Sequence, residues 1–323
     1  MDHQLKELIQ EMGGFVLRDI DREVVVTSSK LKEVDNRFLE IVDEKFSFSN
    51  DMQLTSRKYL NQTREINFGD VKIGGNQKNC LLIGGPCSVE SRKQLFAVAE
   101  EVKSLGLSFL RGGCFKPRTS PYSFQGLGKA GLDILIEARE KLGLKIVTEV
   151  KDSTHVEEVI ASADVIQIGA KAMYDQSILR ACSKTQKPVL LKRGFGSTLQ
   201  EFVQAAEFII SGGNPNVILC ERGIRTFENN TRFTLDLCGV AYLKNQTNLP
   251  IVLDPSHAMG LAYGVPDLAR ACYAMGIDGL LVECHPNPFE AKSDAAQQLN
   301  ISEFVDLYKS LQKFENVVGS KIL

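Results

Sequence analysis

The sequence predicts a (β/α)8 barrel that follows a small α+β segment. From residue 71 onward, eight short apolar runs alternate with helical patterns, and near-continuous apolar strands are typical of a parallel sheet covered by helices. From the first of these runs to its end, the chain has about the 250 residues that such a barrel needs. An open doubly wound sheet is the alternative. It would carry a GxGxxG turn after the first strand, where this chain has GGPC at 84–87.

The predicted barrel strands lie at 81–86, 109–113, 145–150, 165–170, 189–194, 217–223, 251–257 and 279–285. Between the first two strands, five apolar residues fall on one helical face and Gly106 ends the helix; they are Leu95, Val98, Ala99, Val102 and Leu105. Ser197 and Gln200 predict a capping box for the helix before the sixth strand. This alternation assigns residues 71–323 to the barrel.

Residues 1–70 have a different pattern and are expected to form a small α+β module with a connecting arm. Leu5, Leu8, Ile9 and Met12 share a helical face, and strands are predicted at 15–18 and 24–27, followed by a second helix at 31–42. The segment 47–70 is the expected arm. Two readings stay open, namely a ligand-sensing domain and an extension that only packs on the barrel.

Composition excludes several function classes. The chain has 323 residues, 43% hydrophobic and 24% charged, with a net charge of −2, which gives no electrostatic case for a nucleic-acid partner. No apolar run approaches a membrane span, and the N-terminus lacks a signal-peptide core, so we expect a cytoplasmic protein without a membrane partner. Its eight cysteines follow no framework spacing and include no CxxC pair, which suits reduced thiols.

The stretch 111–121, RGGCFKPRTSP, is expected to bind anions. Glycines allow backbone N–H groups to approach a ligand, prolines stiffen the turn, and cations donate hydrogen bonds to phosphate or carboxylate oxygens. Its polar side chains are those of Arg111, Lys116, Arg118, Thr119 and Ser120. A solvated basic turn is the alternative interpretation of this segment alone.

In a (β/α)8 barrel, active sites lie at the carboxyl ends of the strands. The other predicted strands here end in ionisable or amide side chains, namely Glu90, Glu149, Gln167, Lys171, Lys192, Arg193, Glu221, Arg222, Asp254, His257, Glu283 and His285. Five or more cations at one barrel mouth require anionic ligands to offset their mutual repulsion. The sequence therefore predicts a site for anionic substrates.

Four residues at the same end predict a metal site. Cys87, His257, Glu283 and the downstream Asp294 offer a thiolate, an imidazole and two carboxylates, which suit a borderline divalent ion such as manganese, iron, cobalt or zinc. Each residue alone has an ordinary structural explanation, since a strand-end cysteine is often a small hydrophobe and Asp294 can be a surface acid. Together, at one barrel mouth, they favour a metal.

Several strings resemble one enzyme family, 3-deoxy-D-arabino-heptulosonate 7-phosphate (DAHP) synthase, of the subclass close to 3-deoxy-D-manno-octulosonate 8-phosphate synthase. The strings are GPCSVES, LRGG, FKPRTSPYSFQGLG, VTE, IQIGA, PVLLKRG, ILCERGIRTFE, DPSH, VE, HP and SDAAQQ, and they cover residues 68–310. KPRTS is the specific part, because the octulosonate enzymes have an Asn-containing string there. The resemblance implies condensation of phosphoenolpyruvate with erythrose 4-phosphate, with release of phosphate, at the start of the shikimate pathway.

The resemblance also implies roles for individual residues. Cys87, His257, Glu283 and Asp294 match the metal ligands. Phosphoenolpyruvate binding falls to Arg111, Lys116, Lys192 and Arg222, and binding of the acceptor's phosphate to Arg118 and Thr119. We add Ser120, Lys171 and Asp254 to the substrate-binding set. We take Lys116, Glu149, Cys87 and His257 as the catalytic set, in which Lys116 or Glu149 manages the proton of the water that adds to C2 of the donor.

Two departures from the family pattern bear on the acceptor. Lys171 stands where the family usually has Arg, and residues 258–264 replace the family's usual Gly-Arg-Arg. The same chemistry on a related aldehyde in specialised metabolism therefore stays open, as does a barrel that only senses phosphorylated ligands. Some family members bind an aromatic amino acid in an N-terminal domain, which makes such an effector an expectation for residues 1–70. We also expect a homo-oligomer, a dimer or a tetramer.

Overall fold

The computed structural model describes residues 3–31, 33–116 and 120–323. Within them, eight parallel strands form a closed barrel, as the sequence predicted. These strands are β5 (Asn79–Gly85), β6 (Phe109–Arg111), β7 (Lys145–Val150), β8 (Val165–Ile168), β9 (Val189–Lys192), β10 (Val217–Glu221), β11 (Ile251–Leu253) and β12 (Gly279–Glu283). Each pairs with the next in chain order, and β12 pairs with β5 to close the ring, with Gly279 opposite Leu81.

Helices lie between and after the strands, most of them on the outside of the barrel. They are α3 (Arg92–Ser104), α4 (Lys129–Leu142), α5 (Val156–Ser162), α6 (Gln176–Ser183), α7 (Leu199–Ser211), α8 (Leu237–Gln246), α9 (Pro255–Met259), α10 (Val265–Ala274), α11 (Ile301–Gln312) and α12 (Glu315–Val318). A short final strand, β13 (Lys321–Ile322), pairs with the start of β5. Among the helices of the described residues, none is both long and apolar enough to cross a membrane.

Two groups of buried side chains hold the barrel together. Apolar residues of the helices pack on the outer faces of the strands, for example Leu95 and Phe202, neither of which has measurable exposure. Inside the ring, alternate strand residues such as Phe109, Leu190 and Val252 form a separate core. Because both faces of each strand are buried, the strands read in the sequence as continuous apolar runs.

A hairpin of two short strands covers the amino-terminal end of the barrel. The strands β3 (Ile66–Asn67) and β4 (Lys72–Ile73) pair in antiparallel fashion, and Ile66 and Ile73 are fully buried in the inner core. The ring of Phe68 packs edge-on against Phe109, with 5.0 Å between ring centroids. The hairpin therefore occupies the barrel opening opposite the strand ends that carry the polar residues.

The elements before this hairpin agree only in part with the prediction. Helix α1 (His3–Glu11) and the antiparallel strands β1 (Phe15–Asp19) and β2 (Arg22–Val26) follow the expected order. The predicted helix at 31–42 is wrong, because α2 spans only Asn36–Leu39 in the described residues. Asp35 accepts a hydrogen bond from the backbone N–H of Arg37 and so fixes the start of the helix beyond the expected first turn.

Buried charges join the segment 19–64 to the barrel. Arg64 donates hydrogen bonds to both carboxylate oxygens of Asp19, each at 2.8 Å, and to Oδ1 of Asn248 at 3.1 Å. Glu207 on α7 accepts hydrogen bonds from the backbone N–H groups of Leu54 and Thr55 and from the Thr55 hydroxyl. The division of the chain at residue 70 stays a prediction.

The capping box of α7 lies one residue beyond its predicted position. Thr198, rather than Ser197, accepts from the backbone N–H of Glu201, whose side chain accepts from the N–H of Thr198. The Ser197 hydroxyl instead donates to the carbonyl of Gly194 at 2.8 Å. The eight cysteines are free thiols, seven of them buried, in agreement with the expectation from their spacing.

Candidate active site

The carboxyl ends of the barrel strands carry a cluster of buried polar side chains. Arg111, Lys192 and Glu283 are the last residues of β6, β9 and β12, and Arg222 directly follows β10. Their side chains are each at most 5% exposed. Such groups lose their hydration on folding and are stable only when ion pairs, hydrogen bonds or a bound ligand replace the water.

A thiol and two carboxylates meet at the centre of this cluster. One ligand atom from each of Cys87, Glu283 and Asp294 lies within 4.8 Å of the other two. Nε2 of His257 lies 3.5 Å from Oε1 of Glu283 and 3.8 Å from Oδ2 of Asp294. The structure thus brings together the four residues that the sequence predicted as metal ligands.

Two glutamines hold the thiol and the acid in place. The Gln298 side-chain oxygen accepts from the backbone N–H of Cys87 at 2.9 Å, and Nε2 of Gln297 donates to Oε2 of Glu283 at 2.6 Å. The side-chain oxygen Oε1 of Gln297 accepts from Nη1 of Arg232 at 2.6 Å, and the same Arg232 nitrogen is 3.3 Å from Oδ2 of Asp294. These contacts fix one oxygen of each carboxylate and orient the cluster.

Asp254 connects His257 to a substrate-binding candidate. Oδ2 of Asp254 lies 2.7 Å from Nδ1 of His257 and 2.6 Å from Nζ of Lys192, and Oδ1 accepts from the backbone N–H of His257. Burial opposes ionisation of Asp254, but its contacts with His257 and with the Lys192 ammonium outweigh this effect and hold the pKa of the carboxyl well below its ordinary value. Burial lowers the pKa of His257, which favours the neutral imidazole that binds metals.

Arg111 and Lys116 contact the thiol side of the cluster. Arg111 is paired with Glu283 and lies 3.4 Å from the Cys87 carbonyl oxygen, while its Nε has no hydrogen-bond partner among the described residues. Lys116 donates to the Cys87 carbonyl at 3.0 Å and lies 3.2 Å from its sulfur. Burial lowers the pKa of Lys116, but Cys87 and Glu149 outweigh this effect and raise it above its ordinary value. Both cations stay charged.

The backbone at Gly85 makes this approach of β5 to β6 possible. Gly85 has a φ of +148°, and a Cβ placed there would lie 2.0 Å from the carbonyl oxygen of Arg111. Any side chain would therefore push the two strands apart and displace Cys87, which follows two residues later. The string GPC in the sequence reflects this requirement.

Arg193 and Arg222 differ in how their charges are balanced. Arg193 pairs with Glu221 at 2.9 Å and with Asp236 at 2.8 Å. Arg222 has no such partner in the described part of the chain, and its Nε and Nη1 are buried without a hydrogen bond. Burial lowers the pKa of Arg222, with partial compensation from Asp254, yet a guanidinium stays protonated in proteins.

The other predicted residues that the structure describes are Glu149, Lys171 and Ser120. Oε2 of Glu149 on β7 accepts from the buried Gln167 side chain at 2.6 Å. Lys171 is exposed in a 3-10 turn at Ala170–Ala172, and the exposed hydroxyl of Ser120 accepts from the backbone N–H of Tyr122. Arg118 and Thr119 lie outside the described residues, so their assignment stays a prediction.

The donor set fits a divalent metal. Burial and the nearby Glu283 carboxylate raise the pKa of the Cys87 thiol to about 12, so a bound cation is the group that would allow the thiolate to form here. Two carboxylates and a neutral imidazole complete a set suited to a borderline ion. Cys87, His257, Glu283 and Asp294 are therefore the residues that would hold it.

The sequence reasoning missed Arg232, Gln297 and Phe233, whose ring lies beside Arg222. Gln297 belongs to the SDAAQQ string and was visible as a motif, but its contact with Glu283 depends on the fold. Arg232 lies 62 residues from Asp294 in the chain, and its ion-pair distance to that acid has no local sequence signal.

Comparisons with known proteins show which family the chain resembles. The sequence profile of the DAHP synthetase I family matches residues 51–319. The phospho-2-dehydro-3-deoxyheptonate aldolase of Thermotoga maritima is 45% identical over 270 residues, which are 84% of this chain and 79% of that protein. A 2-dehydro-3-deoxyphosphooctonate aldolase of Bordetella petrii is 34% identical over 261 residues, which cover 73% of this chain and 91% of that protein.

Solved structures show the same fold. A crystal structure of the Thermotoga maritima enzyme, a DAHP synthase, superposes with a TM-score of 0.83 at 39% identity, covering 99% of this chain and 95% of that chain. A truncated form of the enzyme gives a TM-score of 0.79 at 40% identity, with 85% of this chain and all of the shorter one covered.

Proposed function

Because the chain belongs to the DAHP synthetase I family, we propose that it condenses phosphoenolpyruvate with erythrose 4-phosphate to give DAHP and inorganic phosphate. The observation that supports this best is the meeting of buried cations with a thiol, an imidazole and two carboxylates at one barrel mouth. A site that only bound phosphate would have no need for the thiol, the imidazole and the two carboxylates, which are suited to a metal.

The buried cations are suited to the donor, which carries a carboxylate and a phosphate. Arg111 and Lys116 come from the end of β6, Lys192 from the end of β9 and Arg222 from the end of β10, and all four are buried at the same end of the barrel. Arg222 and Arg111 each keep a buried N–H group without a partner in the described residues, and an anion oxygen would satisfy both. We assign phosphoenolpyruvate to these four residues, with Lys171 at the outer rim.

When bound, the metal supplies a Lewis acid that polarises the aldehyde of the acceptor. The chain's own residues do the rest. Asp254 orients the His257 ring, and Gln297 and Arg232 hold one oxygen of each acid in place. Lys116, charged and 3.2 Å from the Cys87 sulfur, is assigned to give its proton to the aldehyde oxygen of the acceptor, which becomes a hydroxyl when the carbon–carbon bond forms. Glu149, held by Gln167, is assigned to accept the proton of the water that adds to C2 of the donor.

The test is release of phosphate from phosphoenolpyruvate by the purified protein with a divalent metal and a panel of aldose phosphates. We expect turnover with erythrose 4-phosphate and slower turnover with a five-carbon aldose phosphate, because a terminal phosphate held at a fixed distance selects chain length. If another aldehyde reacted and erythrose 4-phosphate did not, the acceptor assignment would be wrong. Lys171 and residues 258–264 would then be the first candidates for the altered specificity.

We propose an aromatic amino acid as effector for the N-terminal part. A cavity of about 700 Å³ lies between β2 and the segment 34–59, and Phe38, Phe46, Phe48 and Tyr59 are among its lining residues. The test is inhibition by phenylalanine or tyrosine in the full chain, compared with a chain that begins at residue 51. An equal response in both would favour the packing role.

Assembly and location complete the proposal. Phe15, Val16, Ile20 and Ile41 expose apolar surface on the N-terminal part, which supports a homo-oligomer, and light scattering would give its size. The eight free thiols support a reducing compartment such as the cytoplasm.

A further inference from the structure

An aromatic ring rather than a carboxylate lies beside Arg222. The guanidinium carbon of Arg222 is 4.2 Å from the ring centroid of Phe233, well within the range of a cation–π contact. Three other buried cations at this barrel end have acidic partners: Arg111 contacts Glu283, Lys192 contacts Asp254, and Arg193 contacts Glu221. In the described part of the chain, Arg222 stands apart from them in this respect.

This difference changes what Arg222 can bind. A carboxylate beside a guanidinium neutralises its charge and uses its N–H groups, whereas an aromatic face attracts the cation and leaves its edge N–H groups unused. Nε and Nη1 of Arg222 are buried and have no hydrogen-bond partner among the described residues. Both can therefore donate to the oxygens of an anion.

The position of Phe233 is itself fixed from several sides. Its backbone N–H donates to the carbonyl of Ala258 at 2.8 Å, and its ring stacks on Phe195 with 5.7 Å between centroids. Gly223 has a φ of +94°, and a Cβ placed there would lie 2.6 Å from the Cβ of Phe233. The ring is thus held against Arg222 by contacts from three separate segments of the chain.

We propose that Phe233 is a positioning residue for the anion site. It holds the guanidinium plane of Arg222 without neutralising it, so that Nε and Nη1 point toward the phosphate or carboxylate of the donor. This inference rests on the proposed function for the identity of that donor, but its physical content is binding of an oxyanion at Arg222. A role in packing alone is the competing explanation.

The experiment separates ring electrostatics from ring shape. Fluorinated phenylalanines at position 233 keep the shape of the ring and withdraw charge from its face, so they weaken a cation–π contact and spare packing. Binding of phosphoenolpyruvate and, separately, of inorganic phosphate is measured by calorimetry on the intact chain. We expect affinity for both to fall stepwise with each added fluorine, to about fivefold weaker for the trifluorinated ring, which is about 1 kcal/mol.

Substitutions give a second measurement. Phe233→Leu should raise the KM for phosphoenolpyruvate about fivefold, with less than a twofold change in kcat, and Phe233→Tyr should restore it, because the tyrosine ring keeps the π face. Phe208→Leu is the matched control. Phe208 also lies under an arginine, with the guanidinium carbon of Arg180 at 5.7 Å, but on α7 at the outside of the barrel. It should leave both values unchanged.

Two outcomes are decisive against the proposal. If fluorination changed neither affinity, Phe233 would only pack. If Phe208→Leu raised the KM for phosphoenolpyruvate as much as Phe233→Leu does, the effect would not be specific to the ring beside Arg222. If the affinity for phosphate fell on fluorination of residue 233 as expected, but the wild-type chain gave no turnover with phosphoenolpyruvate, the proposed function would fail and the positioning role of Phe233 would stand.

Discussion

Replacing Asp254 with asparagine would test how one buried carboxylate serves both halves of the site. Asp254 lies 2.6 Å from Nζ of Lys192 and 2.7 Å from Nδ1 of His257, and all three side chains are largely buried. Asparagine keeps the shape and the oxygen that accepts from the backbone N–H of His257, so α9 should still begin at the same residue. The substitution removes the negative charge and replaces Oδ2, the acceptor that faces Lys192 and His257, with an amide nitrogen that can only donate.

The expected losses follow from these contacts. A carboxylate that orients a metal-binding histidine contributes about 10- to 100-fold to metal affinity, which is about 1.4 to 2.8 kcal/mol. Removing one partner of a buried ion pair leaves Lys192 uncompensated and costs about 3 kcal/mol of unfolding free energy. We therefore expect Asp254→Asn to bind Mn²⁺ at least tenfold more weakly and to lose at least tenfold in kcat/KM for phosphoenolpyruvate.

Competition with a chromogenic chelator measures the Mn²⁺ affinity, and urea denaturation measures stability. Asp236→Asn is the matched control, because Asp236 also begins a helix and pairs with a buried arginine, Arg193, at 2.8 Å. It has no contact with His257 in the described residues, so it should lose stability and keep its metal affinity. Wild-type Mn²⁺ affinity in Asp254→Asn would refute the coupling.

Three further predictions concern other residues. Chelation should abolish turnover, and Cys87→Ser should bind Mn²⁺ more weakly in a competition assay, since a hydroxyl does not ionise near neutral pH; full activity without metal would contradict this. Lys171→Ala should raise the KM for phosphoenolpyruvate by up to about fivefold, while Lys171→Arg keeps the wild-type value, because the side chain is exposed and only its charge is required. Burial raises the pKa of Glu207 against the hydrogen bonds from Leu54 and Thr55, so the native state binds its proton more readily than the unfolded state. The stability that Glu207 contributes is therefore fully present below the ordinary carboxyl pKa of 4.5 and is lost as the pH rises through the raised value. In urea denaturation, the unfolding free energy of the wild type should rise relative to that of Glu207→Gln when the pH is lowered from 7 to 5. A difference that stayed constant over this range would count against the prediction.

The barrel could be predicted because its signal is local and repeated. Each strand is buried on both faces, so it reads as an apolar run, and the polar residue that ends the run marks the functional face. Cys87, His257 and Glu283 were found in this way, at the ends of β5, β11 and β12. Their distances in the structure agree with the expected cluster, although their roles stay predictions.

Other features depend on competition between neighbouring residues or on distant contacts. The helix predicted at 31–42 has suitable apolar spacing, but Asp35 caps a shorter one. Ser197 looks like a helix cap, yet its neighbour Thr198 caps α7, and the Ser197 hydroxyl donates to the carbonyl of Gly194. Phe233 reads as an unremarkable loop residue, since its contact with Arg222 exists only after the loop folds back.

The hairpin formed by β3 and β4 has a consequence for kinetics. Because it fills the amino-terminal opening, with Ile66 and Ile73 fully buried, the described residues leave the strand ends as the way into the site. The donor groups Arg111 and Lys116 lie deep behind that entrance, at 1% and 6% exposure. An acceptor that bound first at the rim would block the path of phosphoenolpyruvate to its deeper site. Addition should therefore be compulsory in order, phosphoenolpyruvate before the aldehyde, and an unreactive acceptor analogue should trap bound phosphoenolpyruvate and slow its dissociation.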